Sequence, residues 1–483
     1  MTDTESAYSD FTLDNAPIIV FFTTISPQNR RTLLYCSPVM PRNRQPNWRR
    51  IIIVISVFVV LVGVGGWFAY ANSKPTEISG NTTEEYIAAT TSTGATTTVA
   101  PVAMPWPMYG FDPERSHWNP YLHHRPPYTQ EWVFHALSLV EFPPVVADGR
   151  LFVANLHGHF FAIEAATGKR LWHKPTGHCS AASPAVVDGI VYAAFLQLYP
   201  CKKGDTSGSG FVVAWDAATG RRIWSVGTPA IESSPLVVDG AVYVGDWSGM
   251  VYSFDAKTGA LRWKTQTDAQ ITSSASYVDA EQAGGAPAVV IGTNGGSVYE
   301  LDATTGEVRW HAQSIDRLGS GREYFYATPT VAYGRVFIGN TDGWMYAFGA
   351  KTGKLLWAKA AGSYVYTAAV AADNVIYIGT YDGFIIAYDA GTGSELWRFE
   401  APGAVHGAPT LMDGLLYFST CASCGRNGVR ASKSGPPGTY ALDIVTHKIV
   451  WSFPDGQYSP LIADNERVYL AGRGLIYGLR PAP

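Results

Sequence analysis

The sequence predicts an all-β fold, an eight-bladed propeller of four-stranded antiparallel blades, preceded by one transmembrane helix. Three observations carry this reading. A decapeptide pattern recurs seven times, as "IEAATGKRLW", "WDAATGRRIW", "FDAKTGALRW", "LDATTGEVRW", "FGAKTGKLLW", "YDAGTGSELW" and "LDIVTHKIVW". Its closing residues Trp172, Trp224, Trp263, Trp310, Trp357, Trp397 and Trp451 are 39 to 54 positions apart, the length of a propeller blade with occasional insertions. The last unit, "SPLIADNERVYLAGRGLIYGLR", has three strands and no Trp strand, and "TQEWVFHA", with Trp132, is the missing piece. A strand donated from the N-terminal side to the last blade leaves no exposed sheet edge.

The bulk composition agrees. Of 483 residues, 47% are hydrophobic, 13% aromatic and only 15% charged, enough to bury a large core. The 49 Gly and 30 Pro imply many turns. Net charge is −4, so no basic excess exists to neutralise phosphates, and nucleic acid is excluded as a partner on electrostatic grounds.

Within the third unit, "SPLVVDG" and "AVYVGDWSG" read as two strands, each ending in a turn, and "MVYSFDAKTG" and "ALRWKTQT" complete the blade. Asp-Gly and Thr-Gly supply the turns because positive φ is cheap there. The strands are β-branched and aromatic, as a half-buried pleated surface favours.

Upstream of the repeats, residues 51–71, "IIIVISVFVVLVGVGGWFAYA", carry no charge and are long enough to span a bilayer as a helix. Arg42, Arg44, Arg49 and Arg50 precede them and the following segment is not basic, which places residues 1–50 in the cytoplasm and the repeats outside. Ala69-Tyr70-Ala71 resembles a signal-peptidase site, but the apolar run exceeds the usual signal core, so the segment reads as an uncleaved anchor. Met40 opens a stretch that reads like an ordinary start, leaving residues 1–39 open as an upstream extension. Residues 72–104 are rich in Thr, Ser and Ala and read as a flexible extracytoplasmic linker; the propeller occupies 105–483.

The repeated form A-x-D-x-x-T-G-x-x-x-W, with the lead-in "WPMYGFDPERSHWNP" at 106–120, resembles the PQQ-type eight-bladed propellers. That family includes quinoprotein alcohol dehydrogenases and the outer-membrane assembly lipoprotein BamB. The resemblance implies that the repeated Trp, including Trp132, packs between blades. Under the dehydrogenase branch it implies PQQ with calcium over the channel, with Glu232 and Asp246 as conceivable metal ligands. That branch typically carries an adjacent cysteine pair, and no Cys-Cys dipeptide occurs here. No cofactor and no metal site are therefore expected.

In an up-and-down blade, the loop entering the first strand and the turn between the second and third share one face, here termed the first face. The other two turns, including every Thr-Gly turn, lie on the second face and read as structural. Candidate binding residues on the first face, near the channel, are Glu141, Glu232, Thr272, Tyr326, Tyr366, His406, Gln457 and Tyr458, with Asp246 and Trp247 from a second-to-third-strand turn. These positions vary in kind while the scaffold repeats, as at a binding surface on a rigid frame. Cys179 and Cys201 fall on this face of one blade and are expected to pair in an oxidising compartment; Cys421 and Cys424 form a local pair in a Gly/Pro/Ser-rich insertion. His157 and His159 lack further ligand spacing and read as turn histidines.

Three function classes follow. The first is a membrane-anchored binding or assembly module that meets a protein or small ligand on the face bearing the blade-two and blade-seven insertions. The others are a quinoprotein dehydrogenase of alcohols or sugars and a sensor signalling through a membrane partner. The first needs only what the sequence visibly provides.

Overall fold

The computed structural model describes residues 52–53, 55–64, 76–89, 105–201, 208–315, 323–421, 438–456, 458 and 461–482. The chain divides into two units, Met1–Phe68 and Ala69–Pro483. In the first, residues 52–53 and 55–64 are helical, with Ile53, Phe58 and Leu61 exposed. No helix among the described residues is long and apolar enough to cross a membrane; the rest of the 51–71 stretch lies outside them.

The second unit is all β. Seven blades follow in chain order at 145–175, 185–229, 236–266, 276–313, 330–360, 370–400 and 410–453, each an antiparallel run of four neighbouring strands. Blade 7 also carries the short strands Trp118–Asn119, parallel to Thr410–Met412, and Ala404–Val405. The eighth sheet joins Ile462–Ala463, Val468–Ala471 and Leu475–Pro481 to Tyr128–His135, whose Trp132 lies opposite Gly478.

The repeated decapeptide works as one joint. Asp255 Oδ1 accepts hydrogen bonds from the Thr258 backbone N–H at 3.0 Å and the Thr258 hydroxyl at 2.9 Å, which shapes the turn, and Gly259 holds φ at +73°. The indole of the preceding blade's Trp224 lies against Gly259, where a Cβ would come within 2.7 Å of the ring. Its Nε1–H donates to Ala256 O at 2.8 Å. Equivalent donations run from Trp132 to Ala165, Trp172 to Ala217, Trp263 to Ala303, Trp310 to Ala350 and Trp357 to Ala390. The Trp132 bond ties the composite blade to blade 1. Trp397 meets His447, which stands in place of the turn glycine, and Trp451 packs edge-on against Tyr128.

Backbone bonds fix the two faces. Ala256 N–H donates to Gly240 O, joining both second-face turns of blade 3, and the same bond recurs in its neighbours. On the first face, Ile271 N–H in the loop entering blade 4 donates to Asp246 O in the turn of blade 3.

The lead-in peptide is a plug that crosses the channel. Trp106 exchanges two backbone bonds with Val146 of blade 1, and Pro107 O, Pro113 O, Glu114 O, Ser116 O and His117 O accept from the inner strands of blades 2, 4, 5, 6 and 7. The fully buried Arg115 donates to Pro235 O at the entry to blade 3 at 3.3 Å and Ala275 O at the entry to blade 4 at 3.1 Å. Phe111, Arg115 and His117 all have positive φ, a cost of roughly 1–3 kcal/mol each that only an over-determined setting sustains.

A second peptide, 76–89, lies along the second face of blades 5 and 6. Ile78 bridges to Ala358, Gly80 N–H donates to Thr392 O, and Ile87 N–H donates to Tyr333 O. Arg335 donates to Asn81 O, Glu84 O and Glu85 O, and its guanidinium lies 4.9 Å from the Tyr86 ring centre. This part of the 72–104 segment therefore has fixed contacts, which its polar composition did not suggest, because they are made mostly by backbone atoms; 72–75 and 90–104 lie outside the described residues.

Candidate functional site at the channel mouth

The plug decides what kind of site the channel can offer. It engages the inner strands at their second positions or just before them, so it crosses the channel partway along and lies below the first-face entry loops. Tyr109, from the plug, is the floor: its ring packs edge-on against His117 and at 5.6 Å from Phe142. His117 is buried with neither ring nitrogen hydrogen-bonded, and burial pushes its pKa down to about 3, so it is a neutral packing element.

Above this floor is a cavity of about 40 Å³, lined by Tyr109, Glu141, Phe142, Pro143, Tyr326, Tyr366, His406, Gly407, Ala408 and Tyr458. Five of the ten candidate residues thus meet around one space. The rings make a continuous wall: Tyr326 meets Tyr366 at 5.2 Å, Tyr366 meets His406 at 5.3 Å, and His406 meets Tyr458 at 5.1 Å. Each comes from the loop entering a successive blade, 5 to 8, and Tyr364 and Tyr381 back the wall at 5.5 and 5.4 Å from Tyr366.

Opposite stand two carboxylates. Glu141 lines the cavity from blade 1. Glu232 is one bond behind it: its Oε1 accepts from the Tyr326 hydroxyl at 2.6 Å and its Oε2 from Trp247 Nε1 at 3.0 Å. Burial first, then the Glu232 and Glu141 charges, raise the Tyr326 pKa well above the ordinary tyrosine range, so the hydroxyl remains a donor. Burial pushes His406 down to about 4 and Tyr366 up to about 12. Among the described residues the cavity is therefore lined by aromatic rings, with a neutral His406, on one side and by Glu141 on the other.

The other candidates are not at the cavity. Asp246 is buried and shapes its own turn, Oδ1 accepting from Ser248 N, Ser248 Oγ and Met250 N, and Oδ2 from the Tyr252 hydroxyl at 2.9 Å. Thr272 donates to Asn294 at 3.0 Å, and Gln457 lies outside the described residues. Trp247 packs with Cys179, Ala181 and Leu196 beside the Cys179–Cys201 disulfide, whose Cα atoms are 6.2 Å apart. Cys421 is also disulfide-bonded, and Cys424 lies outside the described residues. Sequence reasoning missed Tyr109 and Tyr364. The available signal for Tyr109 was an unusual lead-in that sets Asp112, Glu114 and Arg115 among aromatic residues, a mixture suited to a buried crossing rather than a tether.

PQQ with its calcium, the cofactor implied by the dehydrogenase branch, does not fit these residues. Both Glu232 oxygens and both Asp246 oxygens already accept hydrogen bonds, and no group of three or more metal-binding side chains occurs among the described residues.

A family model described as outer membrane protein assembly factor BamB matches residues 128–199, 205–366 and 342–482. Among curated relatives, the outer membrane protein assembly factor BamB of Moranella endobia is 32% identical over 133 residues, covering 26% of this chain and 33% of that protein. The quinohemoprotein alcohol dehydrogenase ADH-IIG of Pseudomonas putida is 34% identical over 152 residues, 26% of this chain and 20% of that enzyme. The chain thus matches about a fifth to a third of these relatives' length. The crystal structure of BamB from Moraxella catarrhalis has the same fold, with a TM-score of 0.59 at 17% identity over 73% of this chain and 100% of that one.

Proposed function

Since the chain belongs to the BamB family of PQQ-like propellers, we propose that it is an extracytoplasmic binding or assembly module of the cell envelope, anchored through residues 51–71 with the N-terminus in the cytoplasm. The observation that carries this reading is the ring-lined cavity above the plug, on the face that bears the Cys179–Cys201 disulfide. Disulfides persist in oxidising compartments, which supports an extracytoplasmic propeller. Relatives named as assembly factors support a protein partner.

The test places a photo-crosslinking residue at Leu198, exposed on the first face, or at Val445, exposed on the second, in the full chain in its native membrane. A discrete adduct from Leu198 and none from Val445 is expected. Saturable PQQ and calcium binding with alcohol- or sugar-dependent dye reduction by the purified chain would overturn the proposal.

A further inference from the structure

Two histidines of blade 1 meet away from the channel. His159, expected from the sequence to be a turn residue, opens the strand His159–Glu164, and His173 lies in the neighbouring outer strand Arg170–Pro175. The register sets His173 opposite Phe161, so His159, two residues before Phe161, is its diagonal neighbour on the same side of the sheet. His159 Nδ1 and His173 Nε2 are 2.9 Å apart, and among the described residues neither nitrogen has another hydrogen-bond partner. The rings are held in a stack: His173 lies 4.7 Å from Phe161 at 9°, and Phe161 packs edge-on against Phe134 of blade 8. Both histidines are only part-buried, so the pair is open to solvent at the outer rim.

That separation is the one a chelated metal needs. Imidazole nitrogens bind zinc and its neighbours at about 2.0–2.1 Å, and two of them at right angles about one ion lie about 2.9 Å apart. Little side-chain entropy is lost on binding, because the Phe161 stack already orders His173. Without metal, one of the two nitrogens donates its proton to the other. On binding, that proton passes through water to the outer nitrogen of its own ring, which leaves two bare nitrogens facing the ion. Charge selects the ion. Partial burial, then the His159, Arg170 and Lys174 charges, hold His173 below the ordinary histidine range, so its ring is neutral at pH 7. Lys174 turns to the other side of the strand, over the Trp172 ring at 5.9 Å. The same charges repel hard cations such as magnesium and calcium, which also prefer oxygen ligands. Imidazole suits copper, nickel and zinc, whose bonds to nitrogen offset that repulsion.

We infer that His159 and His173 form a two-histidine site for a late first-row divalent transition metal, copper(II) most tightly in line with the general affinity order, with water in the remaining positions. The two residues are 14 apart in the chain and meet only through strand pairing, which is why the His157–His159 spacing did not show the site. The site is separate from the channel mouth and goes beyond the binding-module reading.

The experiment is titration of the purified, untagged full chain in detergent with copper(II), nickel(II), zinc(II) and magnesium(II), read by calorimetry and, for copper, by electron paramagnetic resonance. One equivalent of copper(II) with hyperfine splitting from two imidazole nitrogens, bound more tightly than nickel or zinc, and no magnesium binding, supports the inference. His159→Gln and His173→Phe should each weaken copper binding at least about tenfold, since loss of even an outer-shell partner costs about 10–100-fold. His157→Gln and His178→Gln should leave it unchanged. Saturating copper should raise the melting temperature of the unaltered chain, and that rise should vanish in the first two variants. His173→Phe keeps a ring on Phe161, and a melting curve without metal checks the folding of each variant; where His173→Phe fails to fold, His159→Gln, at a part-exposed strand end, decides. No stoichiometric copper binding, a spectrum with a single nitrogen, or unchanged affinity in folded His159→Gln protein overturns the inference. Such a failure leaves the Leu198 crosslink, and with it the binding module, untouched.

Discussion

Arg115 Nε donates to Ala275 O at 3.1 Å across a separation of 160 residues, and this bond belongs to a guanidinium that also reaches Tyr109 O and Pro235 O. One buried side chain thus secures the plug to the start of blade 4 and the end of the loop before blade 3. Burial pushes its pKa down to about 10, which still leaves it charged at neutral pH.

Arg115→Ala would leave three channel carbonyls without that donor. Unmade buried hydrogen bonds cost about 1–3 kcal/mol each, so a loss of about 3–5 kcal/mol in denaturant unfolding is expected. Arg115→Lys should recover only part of it, because an ammonium lacks the planar fork that spans three acceptors. A change below about 0.5 kcal/mol for Arg115→Ala would mean the plug is held without it.

The Trp staple gives a second expectation. Trp263 donates to Ala303 O at 3.0 Å and its ring covers Gly306, where φ is +75° and a Cβ would sit 2.6 Å from the indole. Trp263→Ala should cost about 3–5 kcal/mol. Gly306→Ala should cost about 2 kcal/mol or more, through both strain and collision. Crosslinking from Leu198 should persist in whatever fraction remains folded, since this joint lies on the opposite face. Full stability with lost crosslinking would contradict a structural role.

For the 76–89 peptide, hydrogen exchange is the direct probe. The Gly80 and Ile87 amides bond to blades 6 and 5 and should exchange slowly. Tyr86→Ala removes the cation–π contact with Arg335 and the bond to Asn374 at 2.8 Å. That change should speed exchange at Ile87 about ten- to hundredfold while blade amides stay protected. Fast exchange at both amides in the unaltered chain would refute the docked arrangement.

Glu300 predicts a pH effect. It is fully buried on the third strand of blade 4, and burial raises its pKa from 4.5 to about 8 against the weaker opposing pull of Arg309. Between those values the native chain holds a proton that the unfolded chain has released. Stability from this group is therefore complete below pH 4.5, falls as pH rises by at most about 1.4 kcal/mol per unit, and is lost above about 8. Glu300→Gln should flatten that part of the stability profile. An unchanged slope would show that the carboxyl ionises normally.

The sequence by itself determined the propeller, its blade count and the role of the repeated decapeptide. Asp255, Thr258, Gly259 and Trp263 act within a turn and its adjoining strand, so their spacing is visible in the chain, and seven repetitions leave little ambiguity. Strand order also assigned loops to faces, and five of the residues it singled out lie around one cavity. Tertiary structure decided the rest. Nothing local in "WPMYGFDPERSHWNP" says that its carbonyls will meet inner strands of six blades, or that Tyr109 will line a pocket. Asp246 and Glu141 look alike as acidic residues on one face; only the fold turns the first into its own turn and gives the second to the cavity. The physical reason is range: periodic patterning records contacts made within a blade, whereas the plug, the 76–89 peptide and the ring wall are made by residues brought together only when the ring assembles.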